Sequence, residues 1–135
     1  MRVVVDTNVL VSSFLTPEGH PRAVIDLWKT GKISLCVSEE ILEEYLEVLA
    51  RLGLRGEPEL KRLLRMFKRK ENLVFRKVAV HFHRVKEDPD DDKFIDCAVD
   101  ARARYIISGD SHLLTVKRFK TVKIVSPEQF VTQVK

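Results

Sequence analysis

Asp6, Glu44, Asp91 and Asp110 are the acidic side chains that local pattern would turn toward one cleft. Asp6 follows the run Val3-Val4-Val5 and precedes Val9, Leu10, Val11 and Phe14, which recur at helical spacing. It therefore stands at the carboxyl end of a strand and the start of a helix, where open α/β sheets build their sites. Asp110 repeats this arrangement after Tyr105-Ile106-Ile107, with Gly109 before it to let backbone approach closely. Glu44 is selected by helical phase. Ile41, Leu42, Tyr45, Val48 and Leu49 form one stripe with Glu44 at its edge, whereas Glu43 points nearly opposite and Glu40 and Glu47 stand further round. Asp91 has Phe94, Ile95 and Ala98 three, four and seven residues on, with Asp92, in line with Ile95 and Val99, a close second. Asp96, flanked by Lys93 and Asp92, reads as solvated. Taken singly, each of the four also has a plain role as cap, turn residue or surface charge, Asp6 as an N-cap.

Together they would be costly. Two carboxylates about 5 Å apart repel by roughly 3 kcal/mol at an effective dielectric of 20, and four multiply the pairs. Such a cluster either holds protons at raised pKa or binds cations. With no His or Cys beside it, an oxygen-only donor set favours Mg²⁺ or Mn²⁺ over zinc. A dication so held can activate water and stabilise a leaving oxygen, the requirement of phosphodiester hydrolysis.

Positioning these groups calls for alternating strands and helices, and the chain supplies them within 135 residues, enough for one domain over 1–135. After the first helix, 16–21 reads as a loop. Pro21 then opens a second helix, with Ala23, Val24, Leu27 and Trp28 on one face, ending near Gly31. A strand over 33–37 precedes a third helix from Ser38 to about Leu52. A turn and a basic fourth helix, about 59–70, follow, with Leu60, Leu63, Leu64 and Phe67 as its apolar residues. Residues 73–85 read as extended, and a fifth helix starts within Asp88–Asp92. A strand over 105–107, a short helical turn at 112–114, a strand over 122–125 and a helix from Ser126 through Val131 complete the pattern. It predicts a three-layer α/β/α sandwich around a central, mainly parallel sheet.

The formal charge of +4 is unevenly spread. Lys61, Arg62, Arg65, Lys68 and Arg69 crowd the fourth helix, while acids gather at 39–47 and 87–92. A basic flank beside acidic clusters suits a protein that cuts a polyanion with metal ions, and it also describes an ordinary solvated helix. Cys36 and Cys97 lie in apolar surroundings without metal-type spacing and read as buried thiols of a reducing cytoplasm, in preference to a disulfide. No apolar run approaches the ~18 residues of a membrane span, which argues against a membrane partner.

Val-Asp-Thr-Asn-Val-Leu-Val-Ser (5–12), Ser38 with Glu44, Asp-Pro-Asp-Asp-Asp-Lys-Phe (88–94) and Ile-Ile-Ser-Gly-Asp (106–110) with Leu113-Leu114 resemble, in this order, the motifs of the PIN-domain family. The likeness is greatest to compact prokaryotic members described as toxins of toxin–antitoxin systems. The resemblance implies a metal-dependent endoribonuclease, commonly a homodimer and often held inactive by a cognate antitoxin, and single-stranded RNA is the expected substrate. Carried over by position, Asp6, Glu44, Asp91 and Asp110 match the acidic quartet, with Asp6, Asp110 and Asp91 or Asp92 as metal ligands. Asn8 and Ser108 match polar positions beside it, and Asp88 and Asp92 nearby acids. Residues 51–85 carry no matching motif, which leaves the RNA target open.

Other acidic α/β sites fit less well. A haloacid dehalogenase-type phosphatase needs a second acid two residues after the first, where this chain has Asn8. A receiver-type phosphoacceptor needs paired acids near the first strand. A catalytically weak PIN module that binds RNA or protein as a scaffold carries the same signature as the nuclease, and only activity separates the two.

Overall fold

The computed structural model describes residues 1–54, 56–78 and 92–134. Val3, Val4 and Val5 lie in β1 (Arg2–Val5) and are all buried, as a strand covered on both faces requires. Helix α1 (Thr7–Leu15) follows at once, and α2 (His20–Lys29) carries Pro21 in its first turn. Gly31, with φ of +78°, reverses the chain after α2 in a conformation that a side chain would strain. Strand β2 (Ser34–Val37) leads to α3 (Glu39–Arg51), whose cap is Ser38, the Ile41 N–H donating to its Oγ at 3.3 Å. Helix α4 (Pro58–Arg69) and β3 (Leu73–Phe75) follow. The chain then forms α5 (Asp92–Asp100), β4 (Tyr105–Ile107), α6 (Ser111–Val116), β5 (Arg118–Phe119), β6 (Val122–Val125) and α7 (Pro127–Val134).

Six of the described strands form one sheet in the order β3-β2-β1-β4-β6-β5. Every pairing is parallel except β5 with β6. From β1 the chain steps outward through β2 to β3, then returns to the other side of β1 for β4 and β6. Right-handed crossovers in opposite directions put their helices on opposite faces. Accordingly α1 packs on α2 and α3, α2 on α7, and α5 on β1, β2 and β4. This is the α/β/α sandwich with a mainly parallel sheet that the sequence predicts. The direction reverses between β1 and β4, so the crevice at their carboxyl ends is the place for a ligand.

Three details differ from expectation. Strand β5 is absent from the sequence reading, because two residues leave no periodicity to detect. On α4, Leu64 is 38% exposed and Met66 is buried, so the apolar stripe is Leu60, Leu63, Met66 and Phe67. Asp96 is buried on α5 rather than solvated. The neighbours thought to mark a wet face, Lys93 and Asp92, are themselves largely enclosed, since α5 packs against the sheet and α3. Of the extended stretch 73–85, residues 73–75 are β3, whereas 79–85 lie outside the described residues, as do Asp88 and Asp91.

Candidate active site

The two strand ends at the reversal point each turn directly into a helix led by an aspartate. The Asp6 N–H donates to the Ile107 carbonyl at 2.9 Å, continuing the β1–β4 pairing one residue past the strand. The Asp6 side chain then caps α1, accepting from the Asn8 N–H at 3.1 Å. Asp110 caps α6 in the same way, with the His112 N–H donating to Oδ1 at 2.8 Å. Between them sits Ser108, fully buried. Its hydroxyl donates to Asp6 Oδ2 at 2.5 Å and accepts from the Asp110 N–H at 2.9 Å. Ser108 thus fixes the two acidic turns relative to each other.

Asp6 is 3% exposed, and burial pushes its carboxyl pKa up. The Ser108 hydroxyl and the Asn8 N–H pull it back, and the charges of Asp110 and Glu44 push it up again. A buried acid made harder to ionise by two neighbouring acids is short of positive charge.

Glu44 reaches this neighbourhood from α3, as its helical phase predicts, and Glu43 is exposed. Its Oε2 accepts from the Thr7 hydroxyl, and its Oε1 lies 2.8 Å from Lys93 Nζ on α5. One residue along α3, the buried Tyr45 hydroxyl donates to the Val5 carbonyl just ahead of Asp6. Thr7, Tyr45 and Lys93 are the participants that the sequence reading misses. Thr7 appears there only within the 5–12 motif and Tyr45 only as an apolar-stripe member. Lys93 leaves one faint signal, a cation at the end of a run of aspartates.

The structure therefore brings together Asp6, Asn8, Glu44, Ser108 and Asp110, with Asp92 buried at the start of α5. Asp91 lies outside the described residues. Lys61, Arg62, Arg65, Lys68 and Arg69 are all exposed on α4. Among the described residues, no three His, Cys, Asp or Glu side chains are grouped to hold an ion. The donor chemistry nonetheless fits a hard dication. Mg²⁺ characteristically takes one or two carboxylates and keeps several waters, and Asp6 with Asp110 supplies those two. Glu44, engaged by Thr7 and Lys93, suits a part beside the ion rather than on it. No helix among the described residues is long and apolar enough to cross a membrane.

An uncharacterized protein of Methanocaldococcus jannaschii is 30% identical over 145 residues, an alignment that takes in 98% of this chain and 91% of that protein. The family model for the PIN domain matches residues 2–112, from the first residue of β1 to just beyond Asp110. Both strand-end aspartates, Glu44 and the sheet reversal that gathers them fall inside that match, and the chain belongs to the PIN domain family.

Proposed function

We propose that the protein is a metal-dependent endoribonuclease that hydrolyses phosphodiester bonds of single-stranded RNA. PIN domains are generally nucleases, which supports the reaction class. The observation that carries the reading is Asp6: buried, joined to Asp110 through Ser108, and opposed electrostatically by Asp110 and Glu44. Asp6 and Asp110 would hold Mg²⁺ or Mn²⁺, completed by Asp91 or Asp92. The ion, when bound, would acidify water and neutralise the phosphate. Ser108 orients the Asp6 carboxylate by donating to Oδ2, and Asn8 holds it through the backbone. Glu44, fixed by Thr7 and Lys93, would use its remaining lone pairs to aim the attacking water at phosphorus and take up its proton.

The resemblance to toxin components supports a finer assignment: a ribonuclease toxin working as a homodimer and restrained by an antitoxin protein. Growth arrest on expression, relieved by the product of an adjacent reading frame, is the observation that this assignment requires.

Cleavage of a fluorescent single-stranded RNA tests the chemistry, with Mn²⁺ or with EDTA as the blank. Asp6→Asn, Glu44→Gln and Asp110→Asn should each lose at least about a hundredfold, or ~2.7 kcal/mol of barrier, with double variants losing little more. Asp91→Asn compared with Asp92→Asn assigns the remaining ligand. Glu43→Gln, on the exposed side of α3, should match wild type. Wild-type rates in all the aspartate variants would mean a contaminating nuclease, and the protein would be an RNA- or protein-binding scaffold.

A further inference from the structure

Two depressions flank the acidic centre, and they differ in lining. The sheet order places one beyond β2 and β3, with Glu39, Glu40 and Glu43 of α3 on its wall beside Phe75, Arg76 and Lys77. The other lies toward β4 and β6, a cleft of about 270 Å³ bordered by Asn8, Ser12, Pro21, Gly109, Asp110 and Pro127. Asn8 and Asp110 belong both to this cleft and to the acidic centre, so the two are continuous.

We propose that the cleft beside Asp110 is a nucleoside subsite, seating the base and ribose next to the phosphate that is cut. The proposal rests on the nuclease reading for its position relative to the chemistry. Three features of the cleft favour this ligand. Among its described lining residues the one acid is Asp110, which would share the ion, whereas in the other depression three carboxylates face Lys77 and Arg76, and Arg76 is already paired with Asp100. Residues from the first turns of α1, α2 and α7 (nine, ten and eight residues long) also border it, bringing the positive ends of three helix dipoles toward an anionic backbone.

Its walls are also mixed in the manner of a nucleoside. The pyrrolidine rings of Pro21 and Pro127 give flat apolar surfaces for a base. The Asn8 amide and the Ser12 hydroxyl, whose side chains make no hydrogen bonds among the described residues, provide donors and acceptors for base edge or ribose hydroxyls. Asn8 can donate and accept at once, so the cleft takes nucleosides as a class.

Binding to the full chain in EDTA separates this proposal from the chemistry, because neither a metal nor cleavage is needed. Uridine 5′-monophosphate, adenosine 5′-monophosphate, unphosphorylated adenosine and inorganic phosphate are each titrated while backbone amide resonances are followed. Both nucleotides and adenosine should shift Ser12 and Gly109, and Ser12→Phe, which fills the cleft, should weaken nucleotide binding at least tenfold. Gly109→Val is a second filling variant that the fold should accept, since nothing lies within 4 Å of an added Cβ there and the close backbone approach expected at this glycine is absent among the described residues. Glu43→Gln, on the other depression's wall, should bind nucleotides as wild type does. The proposal is overturned if phosphate alone reproduces the shifts and adenosine gives none. Shifts gathered at Glu39–Glu43 and Phe75–Lys77, or unchanged affinity in both filling variants, overturn it equally. Nucleotide binding in a protein that cuts no RNA would retain the subsite and discard the nuclease.

Discussion

Asp6 holds two positions in tension, helix cap and buried anion. The cap favours the ionised form through the Asn8 N–H, while burial and the neighbouring acids oppose it. Because its folded pKa is raised above the unfolded value of about 3.8, the native state binds more protons than the unfolded chain in the interval between them. Stability without metal should therefore fall as pH rises through that interval and stay lowered above it. Asn caps a helix as well as Asp does but carries no charge. In EDTA at neutral pH, Asp6→Asn should raise the melting temperature, and the gain should vanish below the interval. Mn²⁺ should stabilise wild type and leave Asp6→Asn nearly unmoved. An Asp6→Asn protein less stable than wild type at neutral pH would show that the acid is not electrostatically strained. At this scale the sequence reveals the acids but not their partners. Asp6, Glu44 and Asp110 follow from local period and strand-end position. Lys93 meets Glu44 only because α5 and α3 pack together, a contact between residues 49 positions apart that no local pattern encodes.

Helix α4 shows how far an element can be read from its own residues. Its boundaries and basic face are legible, but Leu64 and Met66 exchange their expected places. The phase is set by what α4 packs against: the Phe67 ring lies tilted, its centre 5.1 Å from that of Trp28 and 6.2 Å from that of Tyr45, and Glu59 pairs with Arg22 and Lys29 of α2. That docking leaves Lys61, Arg62, Arg65, Lys68 and Arg69 outward. If they hold RNA phosphates, log affinity should fall steeply with log salt, and replacing three of them by Ala should flatten the slope by about two units. An unchanged slope would make them solvated charges only. Glu59 is a separate matter. With Lys29 only 8% exposed and Glu59 15%, Glu59→Ala leaves Arg22 and Lys29 with only the exposed Asp26 as counter-ion and should cost roughly 1–3 kcal/mol in urea unfolding, without altering the salt slope. A loss below ~0.5 kcal/mol would mean that the aromatic contacts alone hold α4.

For the molecule as a whole, the alternation of apolar runs and amphipathic segments is enough to predict a parallel sheet with helices on both faces. The order of the strands is not legible in the same way, because buried valine and isoleucine runs can pair with any neighbour. What settles it is the reversal after β3, through which β4 comes to lie against β1. Cys36 and Cys97 are both free and buried in the single core cluster, as expected. Burial pushes their thiols to about 11 and about 12. At pH 8 a disulfide reagent should leave both unmodified in the folded protein and label both once urea unfolds it, making thiol labelling a measure of global opening. Because the folded pKa values exceed the ordinary value of 9.0, stability should also decline above about pH 9, where the unfolded chain ionises first. Rapid labelling of Cys97 under native conditions would mean that the sheet opens locally beneath α5.

The hydrogen bond from Ser108 to Asp6 spans 102 residues, which sets a schedule for the protein's own synthesis. At about 5–20 residues per second, Asp6 leaves the ribosome roughly 5–20 s before the serine and aspartate that complete its surroundings. Until then β1 lacks β4, and the Asp6 carboxyl lacks the Ser108 hydroxyl that orients it. A nascent chain bearing only α1 to α4 therefore holds Asp6 and Glu44 without the turn that orders them. The long separation in sequence thus works as a delay, holding the acidic centre unassembled until β4 and the turn after it have been made.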